Sequence, residues 1–164
     1  MNTPISDLGE FGLIRKLTEQ FAIISPDRVR ISVGDDAAIL QMKPDEELLV
    51  TTDMLLEGVH FDMTYMPLKH LGYKAVVVNV SDICAMNGIP QQITVSLGIS
   101  ARYTTEMIEE LYKGIKLACQ HYQVDLIGGD TCASQNGLAI SITCLGSVTT
   151  VSYTHLTLPT TERV

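Results

Sequence analysis

Residues 92–100, QITVSLGIS, alternate without a break. Ile93, Val95, Leu97 and Ile99 fall on one side of an extended chain, and Thr94, Ser96, Gly98 and Ser100 on the other. Residues 137–148 repeat the plan, with Leu138, Ile140, Ile142 and Cys144 set against Ala139, Ser141 and Thr143. No other feature restricts the fold as much. The bulky face of such strands has to be covered, while the small face lets a second sheet come close, including that of another copy of the chain.

Helical patterns supply the cover. Asp7-Leu8-Gly9-Glu10 resembles a capping box, and Phe11, Leu13, Ile14, Leu17 and Phe21 follow at helical spacing, which predicts a helix over about 8–22 that ends before Pro26. Pro67 opens a second helix that runs to the Asn87-Gly88 pair. A third covers 104–122, with Thr104 or Thr105 as its cap and Met107, Leu111, Ile115 and Cys119 along one face. Shorter strands are expected at 29–33, 47–52 and 124–128. The sum is an α+β domain, a mixed sheet with helices on one face.

Charge narrows the partners. The net charge is −8, and the 11 Lys and Arg residues are scattered with no run longer than Arg15-Lys16, so no basic stripe exists to follow a nucleic-acid backbone. No stretch approaches the ~18 apolar residues of a membrane span, and the N-terminus lacks a signal peptide's apolar core. A cytoplasmic protein is expected. Cys84, Cys119, Cys132 and Cys144 form no CxxC pair and read as reduced core filler. Residues 1–150 read as one domain; the threonine-rich end, VSYTHLTLPTTERV over 151–164, has no periodicity and does not read as its continuation.

The carboxylates carry the chemistry. Asp35 and Asp36 stand side by side in VGDDAAIL, and like charges held close need a neutralising partner. Asp53 ends the strand in VTTDM, and Asp130 follows another in LIGGDT. Asp82 is the only charged residue between Lys74 and the end of an otherwise apolar helix. A buried carboxylate without a partner costs several kcal/mol. Asp82 alone fits a structural aspartate bonded to backbone amides. Four aspartates from four segments fit a convergent divalent-cation cluster better. Oxygen ligands without a Cys or His pair favour magnesium, whose shell is commonly completed by phosphate, and phosphoryl transfer is then the natural chemistry. No GxxxxGK[ST] or GxGxxG motif occurs; the glycine pair before Asp130 serves either a phosphate or a plain turn. His60 is the only histidine near this acidic material, and Tyr112 lies near the face of the 104–122 helix.

In this order and spacing, GEFGLI, VGDDAAIL, TTDMLLEGVHF, NVSDICAMNGIP and LIGGDT resemble the thiamine-monophosphate kinase family, in the superfamily of aminoimidazole ribonucleotide synthetase, over residues 8–148. The resemblance implies transfer of the γ-phosphoryl group of ATP directly to the phosphate of thiamine monophosphate, giving thiamine diphosphate. It implies Mg2+ held by Asp36, Thr51, Thr52, Asp53, Asp82 and Asp130, with Asp35 facing solvent or bracing the loop. It also implies a nucleotide turn at Gly129 and Asp130, Tyr112 near ATP, and His60 against the thiamine phosphate. Two such domains would join sheets across a twofold axis as a homodimer, with ATP near the subunit boundary. Family members are about twice as long. Their second α/β domain is expected to be absent here, and the chain alone to be inactive. They also place an arginine for ATP after the last strand, where 151–164 does not align. Another ATP-using member of the superfamily is the alternative, as is a dimerising metal-binding module without catalysis. Ser81-Asp82 and the intact TTDMLLEGVHF favour the kinase.

Overall fold

The computed structural model describes residues 4–34 and 36–149. Four strands make the main sheet in the order β3-β6-β4-β5: β3 Glu46–Leu56, β6 Leu138–Thr149, β4 Ile89–Ile99 and β5 Asp125–Ala133. The first three are antiparallel neighbours and β4–β5 is parallel, so the sheet is mixed. A separate two-stranded ribbon joins β1 Val29–Ile31 to β2 Ile39–Leu40.

The alternation resolves as the pattern requires. Ile93, Val95, Leu97, Ile140, Ile142 and Cys144 are buried, and Val95 and Ile142 lie in register in the centre of the sheet. The helices α2 (Leu68–Ala85) and α3 (Thr105–Tyr122) contribute Leu71, Val76, Val80, Leu111 and Ile115 to the same core. Thr104 caps α3 by accepting from the Met107 N–H at 3.4 Å. Where α2 and α3 cross, Gly72 and Gly114 answer each other: a Cβ on Gly72 would collide with the Leu111 carbonyl, and one on Gly114 with the Lys69 carbonyl. Two backbones approach that closely only when both positions lack side chains.

Helix α1 (Gly9–Thr18) is shorter than its periodicity suggests and starts without a capping box. Leu8 is its N-cap and makes no side-chain cap bond, because residues 5–7 form a tight 3-10 turn that places Asp7 one position too early. Beyond Thr18 the apolar spacing continues through tertiary packing: Phe21 meets Tyr112 edge-to-face at 6.2 Å. Asp125, buried at the start of β5, accepts from the Ile24 and Ser25 amides and ties this segment to the sheet. Among the described residues no helix is long and apolar enough to cross a membrane. The 151–164 tail lies outside the described residues.

The opposite face of the sheet carries the small residues of β4 and β6 beside an apolar row on β3. Leu48, Val50 and Met54 are exposed there.

Candidate functional site

The free edge of β5 is where the sheet turns unusual. Register with β4 slips between Ile93 and Thr94, so Ile127 is the extra residue, and Gly128, Gly129 and Asp130 then pair with Thr94, Val95 and Ser96. A Cβ on Gly129 would collide with the Val95 carbonyl oxygen, so this backbone admits glycine alone. Beside it opens a cavity of about 510 Å³, walled by Phe11, Ile14 and Thr18 of α1, by Gly34, Asp36, Ala37 and Ala38 of the β1–β2 loop, by Tyr112 of α3, and by the Gly128–Thr131 edge. Its size suits a small organic ligand. Burial pushes the Tyr112 phenol far above its ordinary pKa, so it stays neutral.

Asp36, Tyr112, Gly129 and Asp130 are thus brought to one cavity. Thr51, Asp53 and Asp82 form a second group. Thr51 donates its hydroxyl hydrogen to Asp82 at 2.9 Å, joining β3 to α2, and Asp53 follows on the same face of β3. Asp53, Ile142, Val95 and Gly129 lie in line across the sheet, so the two groups stand three strand spacings apart, about 14 Å. Asp130, in register with Ser96, belongs to the small-residue face, whereas Asp53 is on the helix-covered face. The four carboxylates therefore form two sets and not the single convergent cluster expected. Among the described residues no three His, Cys, Asp or Glu side chains gather as an ion site.

Several local readings change. Asp82 is exposed, because it lies on the open side of the last turn of α2, while Ile83 beside it stays in the core. Asp53 and Asp130 sit within strands longer than their sequence signals, and do not terminate them. Cys119 and Cys144 are core residues, but Cys84 and Cys132 are exposed. Thr52 stands on the small-residue face, bonded to the Ile142 carbonyl and the Thr143 hydroxyl. His60 is exposed and accepts the Leu56 N–H at Nδ1, 3.0 Å, which leaves the proton of the neutral ring on Nε2. Asp35 lies outside the described residues.

Sequence patterns gave no warning of Glu57. Its carboxylate accepts from the Tyr103 hydroxyl (2.6 Å), the Leu138 amide (2.9 Å) and Arg102, pinning the end of β3 and the turn that carries His60. Burial alone would raise its pKa; the three donors together hold it below the usual carboxylate value.

Residues 34–148 match the family model described as AIR synthase related protein, N-terminal domain. The thiamine-monophosphate kinase of Bacillus subtilis is 37% identical over 141 residues, 86% of this chain and 43% of that protein. The crystal structure of the thiamine-monophosphate kinase from Stenotrophomonas maltophilia superposes with a TM-score of 0.69 at 34% identity, covering 83% of this chain and 40% of that one. The structure of AaThiL complexed with AMPPCP and TMP gives 0.62 at 34% identity, covering 88% and 43%. The chain spans about two-fifths of the length of the relatives it matches.

Proposed function

Because the chain belongs to the AIR synthase related protein family through its N-terminal domain, we propose that it is the ATP- and magnesium-binding portion of a thiamine-monophosphate kinase. The reaction is transfer of the γ-phosphoryl group of ATP to the phosphate of thiamine monophosphate. One observation carries this reading: the cavity beside Gly129, where a side-chain-free strand edge meets two carboxylates. The likeness to a relative complexed with AMPPCP and TMP supports it.

The lining fits a hard cation with phosphate, since Asp36 and Asp130 stand in it and no Cys or His does. Asp36 and Asp130 would hold magnesium at the nucleotide, and Thr51, Thr52, Asp53 and Asp82 would hold it at the far set, Thr52 through its carbonyl. Magnesium there supplies the positive charge that a chain of net charge −8 lacks. A separation of about 14 Å between the sets, on opposite faces of the sheet, fits separate magnesium ions and not one compact ion. Gly128 and Gly129 let backbone amides approach the phosphates without a side chain in the way. Tyr112 closes the cavity floor, and His60 presents an N–H to the thiamine phosphate.

Two copies pack the small-residue faces of β4 and β6 together, with the exposed row of β3 covered in the same step. Four free cysteines are consistent with a reducing cytoplasm.

The test joins this chain to the carboxy-terminal portion of the B. subtilis relative and supplies ATP, magnesium and thiamine monophosphate. Equal yields of thiamine diphosphate and ADP support the reading. ADP with inorganic phosphate, and no thiamine diphosphate, contradicts it.

A further inference from the structure

Helix α1 carries two apolar stripes. Leu13 and Leu17, four residues apart, are buried in the core. Phe11, Ile14 and Thr18, at the i, i+3, i+7 spacing, form a second stripe that lines the cavity opposite the Gly128–Asp130 edge. Phe11 is 81% exposed, the most exposed of the large hydrophobic side chains described. Among the described residues none covers its ring. The Thr18 hydroxyl hydrogen is committed to the Ile14 carbonyl at 2.8 Å, so this wall offers a π-face and aliphatic carbon and no free side-chain donor. The carboxylates and glycine amides of the cavity belong to the strand edge and the loop.

We propose that Phe11 is the base-stacking residue of the nucleotide site, binding the purine of ATP on its ring while the strand edge takes the phosphates. The inference rests on the nucleotide reading above and adds the division of labour between the two walls. Flat apolar rings stack on nucleobases with little demand on edge hydrogen bonds. A largely exposed ring beside a polar phosphate cradle is placed for that task.

The chain contains no tryptophan, so Phe11→Trp installs a single indole at the proposed contact. Magnesium-ATP is expected to quench its fluorescence saturably, and magnesium-tripolyphosphate to bind without quenching. In calorimetry Phe11→Ala is expected to weaken magnesium-ATP about tenfold, to leave tripolyphosphate binding unchanged, and to melt as the parent does. Phe11→Tyr is expected to restore ATP binding. If Phe11→Ala binds ATP as the parent does, or loses tripolyphosphate equally, the stacking role is wrong while the nucleotide site stands. If the parent chain binds neither ligand, the nucleotide reading and this inference fall together.

Discussion

Thr51 on β3 and Asp82 on α2 are joined by a 2.9 Å hydrogen bond, hydroxyl to carboxylate, across the seam between sheet and helix. Asp125 offers the contrast. It is 1% exposed and bonded to two backbone amides, as an aspartate with a purely structural task would be. Asp82 is exposed, oriented by one hydroxyl and left open on its other side-chain oxygen's approach from solvent. A carboxylate held in that way costs little to keep and is available to a cation.

The two aspartates should therefore respond oppositely to the same change. Asp82→Asn is expected to leave the melting temperature within a degree or two and to weaken magnesium-dependent ATP binding at least tenfold. Asp125→Asn should lower stability by about 1–3 kcal/mol, since it weakens the two bonds that a buried side chain accepts from the Ile24 and Ser25 amides. Thermal melts and calorimetry on both variants decide the matter; a destabilised Asp82→Asn with normal magnesium dependence would return Asp82 to the structural class.

Packing at the α2–α3 crossing gives a test of the fold alone. Gly114→Ala drives a methyl group against the Lys69 carbonyl, and backbone cannot yield as a flexible side chain does. A loss of about 1–3 kcal/mol in denaturant unfolding is expected. No measurable loss would mean that the helices cross less closely than described.

Acid should loosen the turn that carries His60. Glu57 has a folded-state pKa held below 4.5 by Tyr103, Arg102 and the Leu138 amide against the opposing effect of burial. Its contribution is thus complete above the unfolded value and is lost as pH falls from about 4.5 through the lower folded value. Glu57→Gln should melt lower than the parent at pH 7, with the difference shrinking toward pH 3. A gap that stays constant over that range would show that the carboxylate's charge is not what the three donors recognise.

Association is expected to follow the open face. Ser96→Arg puts a long cation at the centre of the small-residue surface, next to Ser141 in register. Sedimentation at tens of micromolar should find a dimer for the parent chain and a monomer for the variant. Identical monomers would rule the face out as a self-association surface for this chain.

A polypeptide of these 164 residues should bind nucleotide and yet form no thiamine diphosphate unaided, since it spans 43% of the B. subtilis kinase. Effective transfer needs donor and acceptor phosphates held together. Product formation by the purified chain, free of host kinase, would overturn this.

Much of the fold could be read from local pattern. The period of two in β4 and β6 survives because one face meets helices and the other does not, and α3 follows its stripe of Leu111, Ile115 and Cys119. What escaped was set by distant residues. Asp125 is buried by amides about a hundred positions away, which no local window contains. The bulge at Ile127 depends on pairing with β4, and it determines which face receives Asp130. Asp82 looked buried because its helix is apolar, but in the last turn of α2 it is Ile83 that faces the sheet and Asp82 that faces outward. The cavity itself joins α1, a loop and a strand edge, so sequence could name Asp36, Gly129, Asp130 and Tyr112 without showing that they share one space. Phe11 had its signal in GEFGLI, where it reads equally well as core.

Gly129 puts the account to its most direct test. Calorimetric titration of ATP into the parent chain, with magnesium and with a chelator, is compared with the same titration of Gly129→Ala and Asp130→Asn. Saturable one-to-one binding that requires magnesium, lost in Gly129→Ala and weakened at least tenfold in Asp130→Asn, is the predicted result. Binding that is indifferent to magnesium, or that persists at full strength in a folded Gly129→Ala variant, would contradict it.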